Sequence, residues 1–272
     1  MQSIDKAEMH TFSKEALANR GVILESDGEL SHSGPLAIPQ AFEKYTADEH
    51  ELWGFLFEKQ LNNLSELAYS PWVAAMQKIG LKHDSIPRFS TIAEMTVPLT
   101  GWIPVPISGY LDPVDYFCYL EKRQFPTVVG LRPKEMWDFQ VDPDLFHDAF
   151  GHLPMHIRPE LADFLQLFGE VAARARNLQQ SKELERLYWF TVEYGLIKEN
   201  GRTKVCGSGH LSGFKEAQYS LSEAAEKKPF QLEEVIAQDY NPHILQEKLF
   251  ILDSYDQLYD AMCALGKRYG LL

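Results

Sequence analysis

The chain has 272 residues, of which 45% are hydrophobic and 24% charged, a mixture typical of an ordinary globular protein. Its formal net charge of −13 at pH 7 argues against a nucleic-acid backbone or an anionic membrane surface as a partner. The sequence contains no run of about 18 apolar residues, so it predicts no membrane span.

The cysteines and the amino terminus indicate the cellular compartment in which we expect the protein. Cys118, Cys206 and Cys263 are an odd number without CxxC spacing, which favours a reducing environment over a disulfide scaffold. Residues 1–21 mix acidic and basic side chains and lack the apolar stretch of roughly 7–15 residues that a signal peptide needs. We therefore expect a cytoplasmic protein, with an oligomeric state that the sequence leaves open between monomer and homodimer.

The first part of the chain predicts loose structure followed by helices. Residues 1–37 are expected to be a loosely ordered segment, since its end is rich in Gly, Ser and Pro. Thr46 and Glu49 form a capping-box pattern at the start of a helix, and a second helix is expected over 71–79. Prolines and glycines over 97–113 then predict an extended loop.

Periodicity and capping signals predict mostly helices in the rest of the chain. These predicted helices span 113–122, 161–175, 181–196 and 254–266. Asn200-Gly201 is typical of a hairpin turn, and residues 248–252 predict a strand. We expect a single domain over 38–272 that is mainly α with minor β structure.

Two histidines form the first candidate site. His147 and His152 are five residues apart, so on an uninterrupted α-helix they would point about 140° apart. Gly151 and Pro154 are expected to end the helix just before His152 and let it swing back beside His147. The pair alone is a weak signal, because two unrelated histidines at a helix end would look the same. His156 is expected to be a surface histidine.

A third metal ligand is suggested by Glu193, the only acid among the aromatic and aliphatic residues 187–196. A carboxylate in such surroundings is costly to bury unless it is paired or bound to a metal, although it could also lie at the surface. Two imidazoles and one carboxylate form the facial arrangement of non-heme Fe(II) oxygenases. A zinc hydrolase with the same ligands remains open.

Several sequence blocks carry a family resemblance. They are IPRF at 86–89, TGW at 100–102, DPDLFHDAFGHLP at 142–154, LYWFTVEYGL at 187–196 and GSGHLS at 207–212. In this order the chain resembles the pterin-dependent aromatic amino acid hydroxylases over about residues 38–260. The resemblance implies that family's catalytic domain and an iron- and tetrahydropterin-dependent monooxygenase. It further implies conversion of L-phenylalanine to L-tyrosine with O2, as the first step of phenylalanine catabolism.

The resemblance also assigns residues to the site. The implied iron ligands are His147, His152 and Glu193, and Tyr188 is placed beside the iron. The implied pterin-binding residues are Gly109, Leu111, Pro113, Tyr116 and Asp148. For the amino-acid substrate, Arg132 is implied to bind the carboxylate. The other residues placed around it are Gln140, Pro143, Trp189, Tyr194, Gly209 and Ser212.

Four positions depart from the family pattern, one of them Gly213, which replaces a second serine. Gln140 stands where animal members have Thr, His210 where Leu or Ile is usual, and Cys206 where Tyr is common. The alternatives that remain are tyrosine or tryptophan hydroxylation, a zinc hydrolase, and an amino-acid-binding protein with a decayed site.

Overall fold

A computed structural model describes residues 37–138 and 142–272 of the chain. Its first part contains α1 (Ala47–Leu64), α2 (Ser70–Lys78), α3 (Phe89–Thr100), β1 (Ile103–Ile107), α4 (Pro113–Leu120) and β2 (Gln124–Val128). The middle contains a first π-helix (His147–His152), a 3-10 helix (Leu153–Ile157), α5 (Pro159–Ala172), α6 (Leu178–Tyr188) and a second π-helix (Trp189–Glu193). The last part contains β3 (Leu196–Glu199), β4 (Arg202–Val205), α7 (Ser208–Ser212), α8 (Glu216–Leu221), β5 (Glu226–Pro229), α9 (Leu232–Ala237), β6 (Lys248–Leu252) and α10 (Asp256–Tyr269).

The strands form two small sheets. β1 and β2 pair in parallel, and the second sheet has the order β4-β3-β6-β5. β3 and β4 form the hairpin predicted at Asn200-Gly201, where both residues have positive φ. The predicted strand at 248–252 is β6, which pairs in parallel with β3 and β5. The prediction of a mainly α domain with minor β structure is confirmed.

Helix α1 forms one wall of the central core. Thr46 caps it as predicted, since its hydroxyl accepts from the Glu49 N–H at 3.2 Å and Glu49 accepts from the Thr46 N–H at 2.8 Å. Its buried face carries Trp53 and Phe57, whose rings pack against aromatic side chains beside and within the first π-helix. Helix α1 therefore positions the segment that holds both candidate histidines.

The prediction of an extended loop over 97–113 is wrong. Helix α3 runs to Thr100 with Pro98 inside it, and residues 103–107 form strand β1. The Ile103 N–H donates to Arg123 O at 3.0 Å, so the backbone N–H groups of the odd-numbered residues of this strand point toward β2. Pro104 and Pro106 therefore point their missing N–H groups away from β2, where the loss removes no ladder bond.

The predicted loosely ordered segment over 1–37 lies outside the described residues except for Ala37, which forms an antiparallel bridge with Ile107. Within 37–138 and 142–272, no helix combines the length and the apolar character needed to cross a membrane.

Candidate metal centre

Both candidate histidines lie on the first π-helix and converge. His152 Nε2 lies 3.1 Å from His147 Nε2. The expectation that the helix ends before His152 is wrong, because the π-helix includes His152 and continues into the 3-10 helix. In a π-helix the hydrogen bonds join residues five apart, so such residues share a face as residues four apart do in an α-helix.

Gly151 has a different role from the one predicted. A Cβ at this position would lie 2.9 Å from Ser208 O, a contact too close for any other residue. Gly151 therefore lets α7 pack directly against the first π-helix, which brings the residues 208–212 beneath the two imidazoles.

Glu193 completes a group of three converging donors. Its Oε1 lies 3.2 Å from His152 Nε2 and its Oε2 lies 3.5 Å from His147 Nε2. It ends the second π-helix, in which the Tyr194 N–H donates to Trp189 O at 2.8 Å across five residues. An ion about 2.1 Å from each donor would separate neighbouring donors by about 3.0–3.4 Å, so this spacing fits a single metal ion. Two imidazoles and a carboxylate suit Fe(II) and also suit Zn(II).

Two serines of α7 orient these donors. The Ser212 hydroxyl donates to Ser208 O at 2.8 Å, so its oxygen accepts from His147 Nδ1–H at 2.7 Å. That bond fixes the tautomer of His147 with the Nε2 lone pair directed at the other donors. The Ser208 hydroxyl donates to Glu193 Oε2 at 2.8 Å. Ser212, placed by the resemblance at the amino-acid pocket, lies fully buried behind His147.

Sequence reasoning missed Ser208, although it belongs to the GSGHLS block. Gln60, also missed, holds that block from α1: its Nε2 donates to Leu211 O at 2.8 Å and to Gly213 O at 2.9 Å. No sequence signal connects residues so far apart in the chain.

The electrostatics of the centre favour an anionic carboxylate. Burial raises the pKa of Glu193, but the two imidazoles outweigh burial and hold it well below its ordinary value. Burial lowers the pKa of His147, yet the hydrogen bond and charge of Glu193 raise it overall, whereas for His152 burial prevails and the pKa falls. The anionic Glu193 and the neutral form favoured for His152 are states in which these groups bind metal, and a metal ion would displace the proton that Glu193 favours on His147.

Asp148 is a competing third donor. Its carboxylate and donor atoms of the two histidines lie within 4.8 Å of one another. However, its Oδ2 accepts from the Val128 N–H at 2.7 Å, and burial raises its pKa to about 7. The shorter contacts of Glu193 to both imidazoles favour Glu193 over Asp148 as the third donor.

Arg132 is buried in an ion pair and is only 7% exposed. Its Nε donates to Asp144 Oδ2 at 2.8 Å and its Nη2 to Asp144 Oδ1 at 2.9 Å. Burial raises the pKa of Asp144, but the Arg132 charge more than offsets it and the pKa is lowered. Asp144 Oδ1 also accepts from the His147 N–H at 2.9 Å, so this acid couples Arg132 to the histidine segment, a role that sequence reasoning did not give it.

Tyr116 and Tyr188 meet next to the metal centre. Their hydroxyl oxygens are 2.5 Å apart, and burial raises the pKa of both phenols well above the ordinary value. Tyr116 is half-buried, and the rings of Phe117, Phe125 and Tyr188 approach it at steep angles of 73°, 83° and 86°.

The loop before Tyr116 carries the other residues implied to bind pterin. Gly109 is buried, Leu111 packs in a small cluster with Val105 and Ile107, and Pro113 is the first residue of α4.

Aromatic side chains line the other side of Glu193. Trp189 stacks on Tyr240, which sequence reasoning missed, at 4.4 Å between ring centroids and contacts Tyr194 at 4.7 Å. A Cβ at Gly209 would lie 2.7 Å from the Tyr194 ring, so only glycine permits this approach. His210 is buried with its ring edge-on to Tyr194 at 5.2 Å.

Two of the residues implied to surround the amino acid precede the first π-helix. Pro143 is half-buried two residues before Leu145, and Gln140 lies outside the described residues.

The prediction that His156 is a surface residue is wrong, since it is 1% exposed. Its ring lies between those of Trp102 and Phe125, each with its centroid at 4.6 Å. Burial lowers the pKa of His156 to about 3, so the ring is uncharged at neutral pH.

Comparison with known proteins extends over nearly the whole chain. Residues 25–269 match the family model described as biopterin-dependent aromatic amino acid hydroxylase. The chain is 36% identical to a phenylalanine-4-hydroxylase of Mesorhizobium japonicum, covering 80% of this chain and 79% of that one. It is 32% identical to the phenylalanine-4-hydroxylase of Chromobacterium violaceum, covering 85% and 79%. The crystal structure of the C. violaceum enzyme with bound iron(III) and 7,8-dihydrobiopterin superposes with a TM-score of 0.85 at 29% identity, over 99% of this chain and 94% of that one.

Proposed function

Because the chain belongs to the biopterin-dependent aromatic amino acid hydroxylases, we propose that it hydroxylates L-phenylalanine to L-tyrosine as an iron- and tetrahydropterin-dependent phenylalanine 4-monooxygenase. The observation that carries the proposal is the convergence of two imidazoles and one carboxylate within 3.1–3.5 Å of one another. Bound Fe(II) and the reduced pterin together supply the activation of O2 that hydroxylation requires.

We propose His147, His152 and Glu193 as the iron ligands. Three protein ligands on one side of an ion leave coordination positions open for other molecules. The two serines behind the centre support the assignment, because Ser212 fixes the His147 tautomer and Ser208 orients Glu193. These contacts orient the donors toward a common point.

The pterin is proposed to stack on Tyr116. This ring is half-buried, and its three aromatic neighbours stand at 73°, 83° and 86° to its plane, so none of them stacks parallel on it as a flat bicyclic ring would. The loop with Gly109, Leu111 and Pro113 would border the cofactor. Asp148, fixed by the Val128 N–H, would face it beside His147.

Arg132 is proposed to bind the α-carboxylate of phenylalanine. Its guanidinium plane is held by the paired bonds to Asp144, and a fixed planar fork matches a carboxylate. The aromatic ring of the substrate would lie toward Pro143, Trp189 and Tyr194, with Gly209 allowing the Tyr194 ring its position.

Gln140 stays a proposed contact on the resemblance alone. The Tyr188 hydroxyl, which is hydrogen-bonded to the Tyr116 hydroxyl, would lie as a polar group between the iron and the pterin.

The three cysteines are free thiols, which supports a reducing, cytoplasmic location.

The alternatives are less well supported. The donor spacing fits zinc as well as iron, but a zinc hydrolase would need neither O2 nor pterin. Tyrosine or tryptophan hydroxylation is disfavoured because both relatives described above are named phenylalanine-4-hydroxylases.

Metal reconstitution tests the proposal. Metal-free protein would be loaded without air with Fe(II), Zn(II), Co(II) or Mn(II), then given O2, a tetrahydropterin and phenylalanine, tyrosine or tryptophan. We expect L-tyrosine from phenylalanine only with Fe(II) and pterin present, and slower hydroxylation of the other two amino acids. Product formation with Zn(II) and no pterin, or faster hydroxylation of tyrosine or tryptophan, would contradict the proposal.

A further inference from the structure

His156 contacts the backbone of the proposed metal ligand His152. Its Nδ1 lies 3.0 Å from His152 O, and the imidazole is almost completely buried. A carbonyl oxygen can only accept, so Nδ1 carries the proton and donates this bond. An imidazolium here would be a buried charge without a carboxylate beside it, so the ring is neutral and Nε2 has a bare lone pair.

That lone pair has no hydrogen-bond partner within residues 37–138 and 142–272. Buried polar atoms are nearly always satisfied by protein or by ordered water. Trp102 and Phe125, which flank the ring, offer their aromatic surfaces and not a donor directed at Nε2. No part of the chain that the structure describes supplies the donor that this atom requires.

A cavity adjoins the ring and can hold that donor. It offers about 20 Å³ to a water-sized sphere, above the roughly 10–15 Å³ that one water molecule needs. Its wall includes His152, His156, Thr191 and Ser208. The Thr191 hydroxyl donates to Leu187 O and the Ser208 hydroxyl donates to Glu193, so the oxygens of both can still accept.

We infer that one water molecule is bound in this cavity, where it donates to His156 Nε2 and to the hydroxyl oxygen of Thr191 or Ser208. The water thereby joins the segment of His152 to the segment of Glu193 from behind. His156 is then a positioning residue that holds the His152 carbonyl, and with it the donor side chain. This positioning role rests on the proposed metal site, whereas the water site does not.

A crystal structure of the metal-loaded protein tests the water site directly. We expect a density peak about 2.7–3.2 Å from His156 Nε2. A second crystal pressurised with xenon should show no xenon in the cavity, because apolar gas enters dry cavities and not one occupied by ordered water. An empty cavity, or xenon bound within it, would overturn the inference. This test uses the parent protein, so it holds even if the His156 variants described next fail to fold.

Two variants separate the positioning role from the water. His156→Asn retains an amide N–H near the position of Nδ1 but does not reach the cavity, whereas His156→Phe removes both nitrogens and keeps an aromatic ring between Trp102 and Phe125. We expect the Phe variant to release Co(II) to a chelator roughly 2- to 10-fold faster than the parent, the effect of one hydrogen bond. The Asn variant should release it at close to the parental rate.

Cobalt release followed by its visible absorption needs no turnover, so it is independent of the proposed reaction. Thermal unfolding of the metal-free variants shows whether the fold is retained. A folded Phe variant that holds cobalt like the parent would refute the positioning role. So would an Asn variant that releases cobalt as fast as the Phe variant.

Discussion

Replacing Arg132 with lysine keeps the positive charge but cannot reproduce the paired bonds to Asp144. The guanidinium reaches both carboxylate oxygens, at 2.8 and 2.9 Å, while one ammonium group can satisfy only one of them in that geometry. Loss of one charge-assisted bond costs about 1.5–3 kcal/mol of folding free energy. At roughly 2–4 °C per kcal/mol for a domain of this size class, the melting temperature should fall by about 3–12 °C.

The same substitution should weaken use of the substrate. Arg132→Lys removes the planar fork proposed to bind the α-carboxylate, so kcat/KM for phenylalanine should fall roughly 10- to 100-fold. Iron content should stay near that of the parent, because the bond from the His147 N–H to Asp144 is retained. Steady-state kinetics, metal analysis and thermal unfolding by circular dichroism measure these effects.

A substrate without a carboxylate separates binding from folding. Parent and Arg132→Lys enzymes should turn over 2-phenylethylamine almost equally poorly. Asp144→Asn is the matched partner variant: it leaves the Arg132 charge buried without its anion and should lower stability by about 3–5 kcal/mol. If Arg132→Lys melts at the parental temperature and handles phenylalanine like the parent, both the ion-pair argument and the substrate assignment fail.

Three further substitutions test the centre. Glu193→Gln should lower iron content while retaining the fold, because a neutral amide is a weaker ligand for a divalent cation; normal iron and activity would favour Asp148 as the ligand. Asp148→Asn should raise the KM for tetrahydropterin more than it lowers iron content. Loss of iron in parallel with loss of activity would instead indicate that Asp148 is a metal ligand. Ser212→Ala should weaken metal affinity about 10- to 100-fold by releasing the His147 tautomer. The matched control Ser220→Ala, which removes an equally buried hydroxyl bonded to Ala217 O, should leave metal affinity unchanged.

Elements specified by neighbouring residues could be predicted from the sequence. The capping box of Thr46 and Glu49 requires only residues three apart, and the β3–β4 hairpin requires only Asn200-Gly201. Both were found where these local signals placed them. The family motifs likewise identified the three converging donors. A motif match names the side chains directly and does not require knowing how the chain folds between them.

Features that depend on distant contacts could not be read in this way. Strand β1 looks like a loop because of its prolines, and only pairing with β2 shows that their missing N–H groups face away from the ladder. Arg132 looks like a surface charge until Asp144 is seen beside it. His156 was expected in solvent because a lone histidine after a turn gives no sign of the Trp102 and Phe125 rings around it.

The two segments that carry the candidate ligands are both π-helical, and the 3.6-residue periodicity of an α-helix does not describe that geometry. Analysis at 100° per residue separates His147 from His152 and therefore requires a helix end between them. The π-helical turn brings them together within one continuous helix, and a second π-helix ends at Glu193. Such turns have poorer hydrogen-bond geometry than an α-helix, so contacts elsewhere must stabilise them. Here those contacts come from distant elements: Gly151 admits α7, Ser208 and Ser212 bind the donors, and Gln60 of α1 holds α7 in place. The geometry of the centre is thus a property of the packed domain, even though the identity of its donors is local.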